Sequence, residues 1–283
     1  MIGDVGSRGS YLERGNTNGG RNGSPIVGQS AFRIVENEGP RPVDRVFFYF
    51  NYFNDVGLAG NNTYDMYRAV FGFEKTVLSG RGSVGVRLPI QVRDGGTGSS
   101  IDGFGDLTVI GKAVLLSDSC TGNCLSAGLA VTVPIGRTQP LEGGGNLDST
   151  LVQPWVGFLV NSGSFFVQGF SSAVLPSKTV DTRMLANDLG VGYRLWSTSQ
   201  QDAVLTAVVP VLEAHLLTPL NNIGVAGVQN GTSQVGTPDQ LVLTGGVHFG
   251  IRNRSWLTIG AGTTVTGTRL FNWEGIVQYN FGF

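Results

Sequence analysis

From residue 45 onward, apolar and polar side chains alternate with a period of two. In the run 81–93, Val84, Val86, Leu88, Ile90 and Val92 fall on one face, with Arg81, Ser83, Arg87, Gln91 and Arg93 on the other. In 124–135, Leu125, Leu129, Val131, Val133 and Ile135 oppose Ser126, Gly128, Ala130 and Thr132. In 186–196, Leu189, Val191, Tyr193 and Leu195 oppose Asp188, Gly190, Gly192 and Arg194. Successive strand side chains point to opposite faces, so this is the signature of strands with one apolar and one polar side, and period 3.6 is absent from these runs.

Twelve such runs are predicted: 45–54, 65–77, 81–93, 104–116, 124–135, 151–160, 164–174, 186–196, 203–217, 239–251, 255–265 and 271–283. Most have 10–13 residues. That exceeds the 5–6 of an average globular strand and approaches the 9–11 that cross a bilayer at a tilt.

The connections alternate too. Those at 78–80, 161–163 and 252–254 are tiny, and 117–123 and 197–202 are short. Those at 55–64, 94–103, 136–150, 175–185 and 218–238 are long, and only 266–270 departs from the pattern. Short turns on one rim and long loops on the other characterise transmembrane barrels. The expected fold is all-β, a single antiparallel transmembrane β-barrel of about 12 strands with an extended N-terminal arm. An even strand count puts both chain ends on the short-turn, periplasmic rim. Pro89, Pro134, Pro154 and Pro210 fall inside predicted strands. Proline cannot donate to a ladder, so each must sit at a bulge or near a rim, and Pro210 is the least comfortable.

Composition sharpens this picture. Glycine supplies 44 of 283 residues, and only 14% are charged against about 25% in ordinary soluble domains. No stretch approaches eighteen consecutive apolar residues, so closed strands are the remaining way to span a membrane. A formal net charge of −1 gives no reason to expect a nucleic-acid partner. Residues 1–44 form a separate region, a Gly/Asn-rich arm to about residue 30 followed by the charged lead-in AFRIVENEGPRPVD. The first 25 residues have no apolar core for a signal peptide, so an export signal is expected to have been removed or to precede the present start.

Twelve strands at ~4.8 Å spacing and a tilt of about 40° enclose a backbone cylinder roughly 24 Å across, leaving a bore of ~10 Å inside the side chains. Parity turns Arg68, Glu74, Arg81, Arg87, Arg93, Asp106, Lys112, Asp188, Arg194, Glu213, His215, His248 and Glu274 inward. An Arg or Lys facing lipid at the midplane would cost about 2–4 kcal/mol, whereas a wet lumen tolerates it. These groups either pair across the interior and stiffen it, or line a polar pathway in which a row of Arg81, Arg87 and Arg93 favours anions. The arm and the loop at 218–238 are each long enough to enter the bore.

Cys120 and Cys124, in SDSCTGNC, flank a Gly-Asn turn and are expected to form a small local disulfide, with two free thiols as the alternative. Without further Cys or nearby His they make a poor zinc site. His215 and His248 are the only histidines, and neither has a serine beside it in a recognisable nucleophile motif. No enzyme activity, cofactor or metal is expected.

The terminal strand, with Tyr279, Phe281 and Phe283 at alternate positions, resembles the signal read by the bacterial barrel-assembly machinery. GFGDLTVIGKAVLL followed by LSAGLAVTVPIG resembles the MetA-pathway of phenol degradation family of outer-membrane proteins, through Gly105-Asp106-Leu107 and Pro134-Ile135-Gly136. ANDLGVGYRLW and the terminal Phe also fit, and the resemblance covers roughly residues 100–283. It implies an outer-membrane channel or transporter, with outer-membrane lipid and the assembly machinery as partners. The alternative is a plugged structural barrel that joins an envelope complex, or a homo-oligomer, through residues 1–44.

Overall fold

The computed structural model describes residues 37–56, 64–94, 103–136, 149–177, 183–200, 202–220, 239–266 and 271–283. Twelve long strands form one antiparallel sheet: β1 (Arg45–Val56), β2 (Tyr64–Val77), β3 (Gly82–Asp94), β4 (Leu107–Ser117), β5 (Cys124–Val133), β6 (Leu151–Ser162), β7 (Phe165–Pro176), β8 (Met184–Tyr193), β9 (Leu205–Pro219), β10 (Gln240–Ile251), β11 (Ser255–Thr264) and β12 (Trp273–Gly282). Each pairs with its sequence neighbours, and β1 pairs with β12 to close the sheet. The closing register runs from Arg45 opposite Gly282 to Asn54 opposite Trp273. All backbone groups of a spanning segment must be satisfied internally, and closure removes the edges where they would not be.

The outward face carries exposed Val84, Val86, Leu129, Leu189, Val191 and Ile259, while the inward face buries Arg68, Arg87, Gln153, His215 and Glu274. An exposed apolar belt around a buried polar interior inverts the arrangement of a soluble protein. Apolar clusters also lie inside; two of them sit at the long-loop rim: Phe53, Val56, Met66, Val242 and Phe271, and Leu151, Val174, Met184, Ala186 and Leu217.

The turns on the opposite rim are tight. Leu78, Ser79 and Gly80 all adopt positive φ, as do Arg252 and Asn253, and Gly163 turns β6 into β7. Each connection on the other rim includes residues outside the described set.

The prolines show how the ladder is edited. Pro89 in β3 has no regular partner on β4, whose pairing ends at Arg87–Thr108. A two-residue fragment, Gly103–Phe104, resumes it at Ile90 and Gln91. In the gap, the Gly105 N–H donates to the Pro89 carbonyl at 2.8 Å. A Cβ on Gly105 would stand 2.8 Å from Pro89 Cγ, so the glycine of the Gly-Asp-Leu sequence is required by close approach. Pro210 in β9 lies at a similar break: β8 pairing ends at Val211–Gly192 and resumes with Trp196 opposite Val208, one residue out of step. Pro154 points outward, and its pairing with β7 is skipped together with that of Gln153. Pro134 lies just past the end of β5.

Inward aromatic rings cover glycines on the adjacent strand. Phe47 faces Gly72, Trp155 faces Gly128 and Phe166 faces Gly192 in register. A Cβ on Gly72 would lie 2.1 Å from the Phe47 ring. Gly72→Val is therefore expected to destabilise the barrel by about 1–3 kcal/mol through overpacking. Adding Phe47→Ala should restore part of that loss. The check is urea unfolding followed by the heat-dependent gel shift; equal losses in the single and double variants would refute the packing account.

Candidate functional site: the lumen

Segment 37–44 turns back into the bore at the short-turn rim. Glu38 is buried among inward side chains of β1, β3 and β4. Its Oε1 lies 2.6 Å from Lys112 Nζ and 3.1 Å from Arg45 Nη2, and its Oε2 pairs with Arg87. Glu74 supplies a second carboxylate, 2.8 Å from Lys112 Nζ and 3.0 Å from Arg45 Nε, and it accepts from Ser83 Oγ at 2.7 Å. Lys112 also donates to the Gly39 carbonyl at 2.9 Å. Three cations and two carboxylates thus tie the segment to the wall.

Further contacts fix its course. Asn280 Nδ2 donates to Asn37 Oδ1 at 2.8 Å, and Arg41 donates to the Gly122 carbonyl in the β4–β5 turn. At the rim, Asp44 accepts from Lys75 Nζ at 2.8 Å and from the Thr76 N–H at 2.6 Å. These bonds hold its carboxyl at about 2. Burial pushes the Glu38 carboxyl up, but Lys112, Arg45 and Arg87 overcome it and hold the group well below the usual carboxylate range.

Nearer mid-barrel, Asn51 donates to Glu274, and the Arg68 guanidinium lies 5.7 Å from the Tyr49 ring and 5.8 Å from the Phe53 ring. On the far wall, His215 Nδ1 sits 2.9 Å from Asp188 Oδ1, with Glu213 Oε2 3.5 Å from Nε2. All four of these titratable groups on β8, β9 and β12 face inward and are buried.

The remaining predicted lumen residues are placed as follows. His248 is inward and half-buried, with Nδ1 2.6 Å from Thr258 Oγ1. Arg194 is exposed just beyond β8, at the mouth of a cavity. Arg81 is exposed in the β2–β3 turn. Asp106 lies ahead of β4 at the other rim, half-buried, and accepts from the Gly136 N–H at 3.1 Å. Arg93 is opposite Met66 in β3, and its side chain lies outside the described residues. Arg81, Arg87 and Arg93 therefore form no described row, because Arg87 is bound to Glu38. Tyr279 on β12 and Phe283 just past its end are exposed, and Phe281 is half-buried. The Phe283 ring stacks on Phe73 at 5.8 Å.

The disulfide expectation is corrected: Cys120 and Cys124 are free thiols. Cys124 is buried at the start of β5, whereas Cys120 is exposed in the turn. The turn is closed instead by Asp118, which accepts from the Cys120 N–H at 2.9 Å and from Thr121 Oγ1 at 2.6 Å.

Sequence reasoning passed over Glu38, Arg45 and Asn280. The available signal was an excess of inward cations over acids on the runs at 65–77, 81–93 and 104–116: Arg68, Arg81, Arg87, Arg93 and Lys112 against Glu74 and Asp106. It also passed over a cavity of about 840 Å³ between segment 37–44 and the β7–β12 wall, open at the short-turn rim.

No protein-family profile matches the chain, and no curated protein matches it. Solved structures do. The COG4313 outer membrane channel from Pseudomonas putida F1 superposes with a TM-score of 0.60 at 14% identity, over 88% of this chain and 100% of that one. The fold is that of an outer-membrane β-barrel. The β domain of the Bordetella autotransporter Brka gives a TM-score of 0.51 at 13% identity, over 85% of this chain and 99% of that one. The transport unit of the autotransporter AIDA-I from Escherichia coli gives 0.50 at 13% identity, over 89% and 93%. At these identities the likeness is one of fold.

Glu38→Gln should weaken the docking of residues 37–44 by about 3–5 kcal/mol, the scale for breaking a buried ion network from one side. Because the Glu38 and Asp44 carboxyls are depressed, their stabilisation is full above the ordinary carboxylate range and is lost as pH falls through the depressed values. Thermal melts of the barrel in detergent should be flat from pH 7 to about 5 and fall below about 4. In Glu38→Gln the acid-dependent loss should shrink; an unchanged acid limb would refute the assignment.

Proposed function

We propose that the protein is an outer-membrane channel for passive passage of small molecules, its bore narrowed by residues 37–44 and both chain ends periplasmic. The observation that carries this is the cavity of about 840 Å³, which opens the short-turn mouth into a barrel with a polar inner face. The resemblance of residues 100–283 to the phenol-degradation family supports the same reading, as does the fold shared with a COG4313 channel. We read the barrel as non-catalytic. His248 meets the hydroxyl of Thr258, but no carboxylate among the described residues orients that histidine.

The second reading is a plugged structural barrel, favoured by the Glu38 network that clamps the segment to the wall. Planar-bilayer conductance separates the two. The full-length protein is expected to give discrete steps, and Glu38→Gln or removal of residues 1–44 should enlarge them. Silence from the full-length protein with steps after removal would make the segment a plug. Silence from both would overturn the channel reading.

A further inference from the structure

The cavity at the short-turn mouth has two chemically distinct walls. Arg194 and Arg254 both line it. Among the described residues neither arginine has a carboxylate partner, whereas the other charges at its edge are engaged: Arg45 with Glu38 and Glu74, and Asp44 with Lys75. The remaining lining is apolar or neutral. Phe166 and Trp256 present rings from β7 and β11, and His248 and Asn280 present polar edges from β10 and β12. Trp256 pairs with Asn280 and Gly250, which places its ring on the inward face beside His248, with ring centroids 6.5 Å apart.

Two guanidiniums without a carboxylate partner among the described residues, that of Arg254 lying 5.9 Å from the Phe281 ring, draw anions and fit carboxylates in a bidentate manner. Flanking rings add an apolar surface for the rest of the molecule and strengthen an Arg-bound anion by excluding water. A cavity of this volume is far larger than a simple inorganic anion needs and falls within the range of small-molecule sites.

We infer that this cavity is a binding site for small organic acids, with Arg194 and Arg254 holding the acid group and Phe166 and Trp256 the apolar body. The inference deepens the channel reading, on which it rests for the route by which solute reaches the mouth. Binding itself does not require conduction.

The test uses the full chain in lipid nanodiscs, with Trp fluorescence and calorimetry as readouts. Three probes are compared: cyclohexanecarboxylate, its neutral carboxamide, and acetate. Cyclohexanecarboxylate should bind at least tenfold more tightly than either of the others. The double substitution Arg194→Gln with Arg254→Gln should abolish the preference for acid over amide while leaving amide binding in place. Trp256→Leu should weaken cyclohexanecarboxylate more than acetate. Arg81→Gln, an exposed cation away from the cavity, should change nothing. Heat-dependent gel migration verifies that each variant is folded.

Equal binding of acid and amide by the native chain would overturn the inference, as would an unchanged preference in the folded double variant. Conductance without probe binding would overturn the site and leave the channel reading standing. Binding without conductance would do the reverse.

Discussion

The fold depends on one constraint: a backbone exposed to hydrocarbon cannot leave its N–H and C=O groups unpaired. The ten-residue register between β1 and β12 meets it by joining the two ends of the sheet. Strand parity then has only two meanings, lipid and lumen. Charges deep in a spanning strand, such as Arg68, Arg87 and Glu274, take the lumen side, whereas the outward Asp65 and Lys75 sit at the ends of β2 near the rims. The ion networks of the interior are the consequence of a closed ladder with charges on its inner face.

Closure also explains how proline is tolerated. A missing N–H inside a barrel cannot be hidden at an edge, so the neighbouring strand must yield. It does so beside both Pro89 and Pro210, where pairing stops and resumes through a two-residue fragment. At Pro89 a glycine N–H approaches closely enough to bond the proline carbonyl. The Gly-Asp-Leu sequence that carries the family resemblance is thus also the local solution to a proline in the adjoining strand.

Much of this was legible in the sequence. The runs containing Val84–Val92 and Leu189–Tyr193 assign their faces without ambiguity, because apolar and polar positions do not mix. The loop-length alternation placed the two rims. β1 was harder, since RVFFYFNYFN is aromatic on both faces and parity alone cannot say that Phe47, Tyr49 and Phe53 turn inward. Predicted runs at 81–93 and 186–196 overshot their strands at one end, which carried Arg81 and Arg194 out to the rim. The thiols misled because Cys-x-x-x-Cys around a Gly-Asn turn invites a bridge, whereas Asp118 already closes that turn with side-chain hydrogen bonds. The role of Glu38 could not be read from AFRIVENEGPRPVD. Its partners come from three strands, up to 74 residues away, and only the fold brings them together.

The lumen is divided by charge. Along β1–β4, Arg45, Arg87 and Lys112 are neutralised in place by Glu74 and by a carboxylate that the N-terminal segment brings in. Desolvated charges are tolerable only when so matched, since the cost of leaving one alone exceeds what any single contact returns. Along β7–β12, residues 37–44 border a cavity of about 840 Å³ that Arg194 and Arg254 line. Residues 37–44 therefore take up positive charge on one wall, while the described lining of the cavity keeps two cations on the other. A substitution that releases the segment should change the width of the bore and its charge together, because Arg45, Arg87 and Lys112 would lose the Glu38 carboxylate, with Glu74 left to balance Arg45 and Lys112.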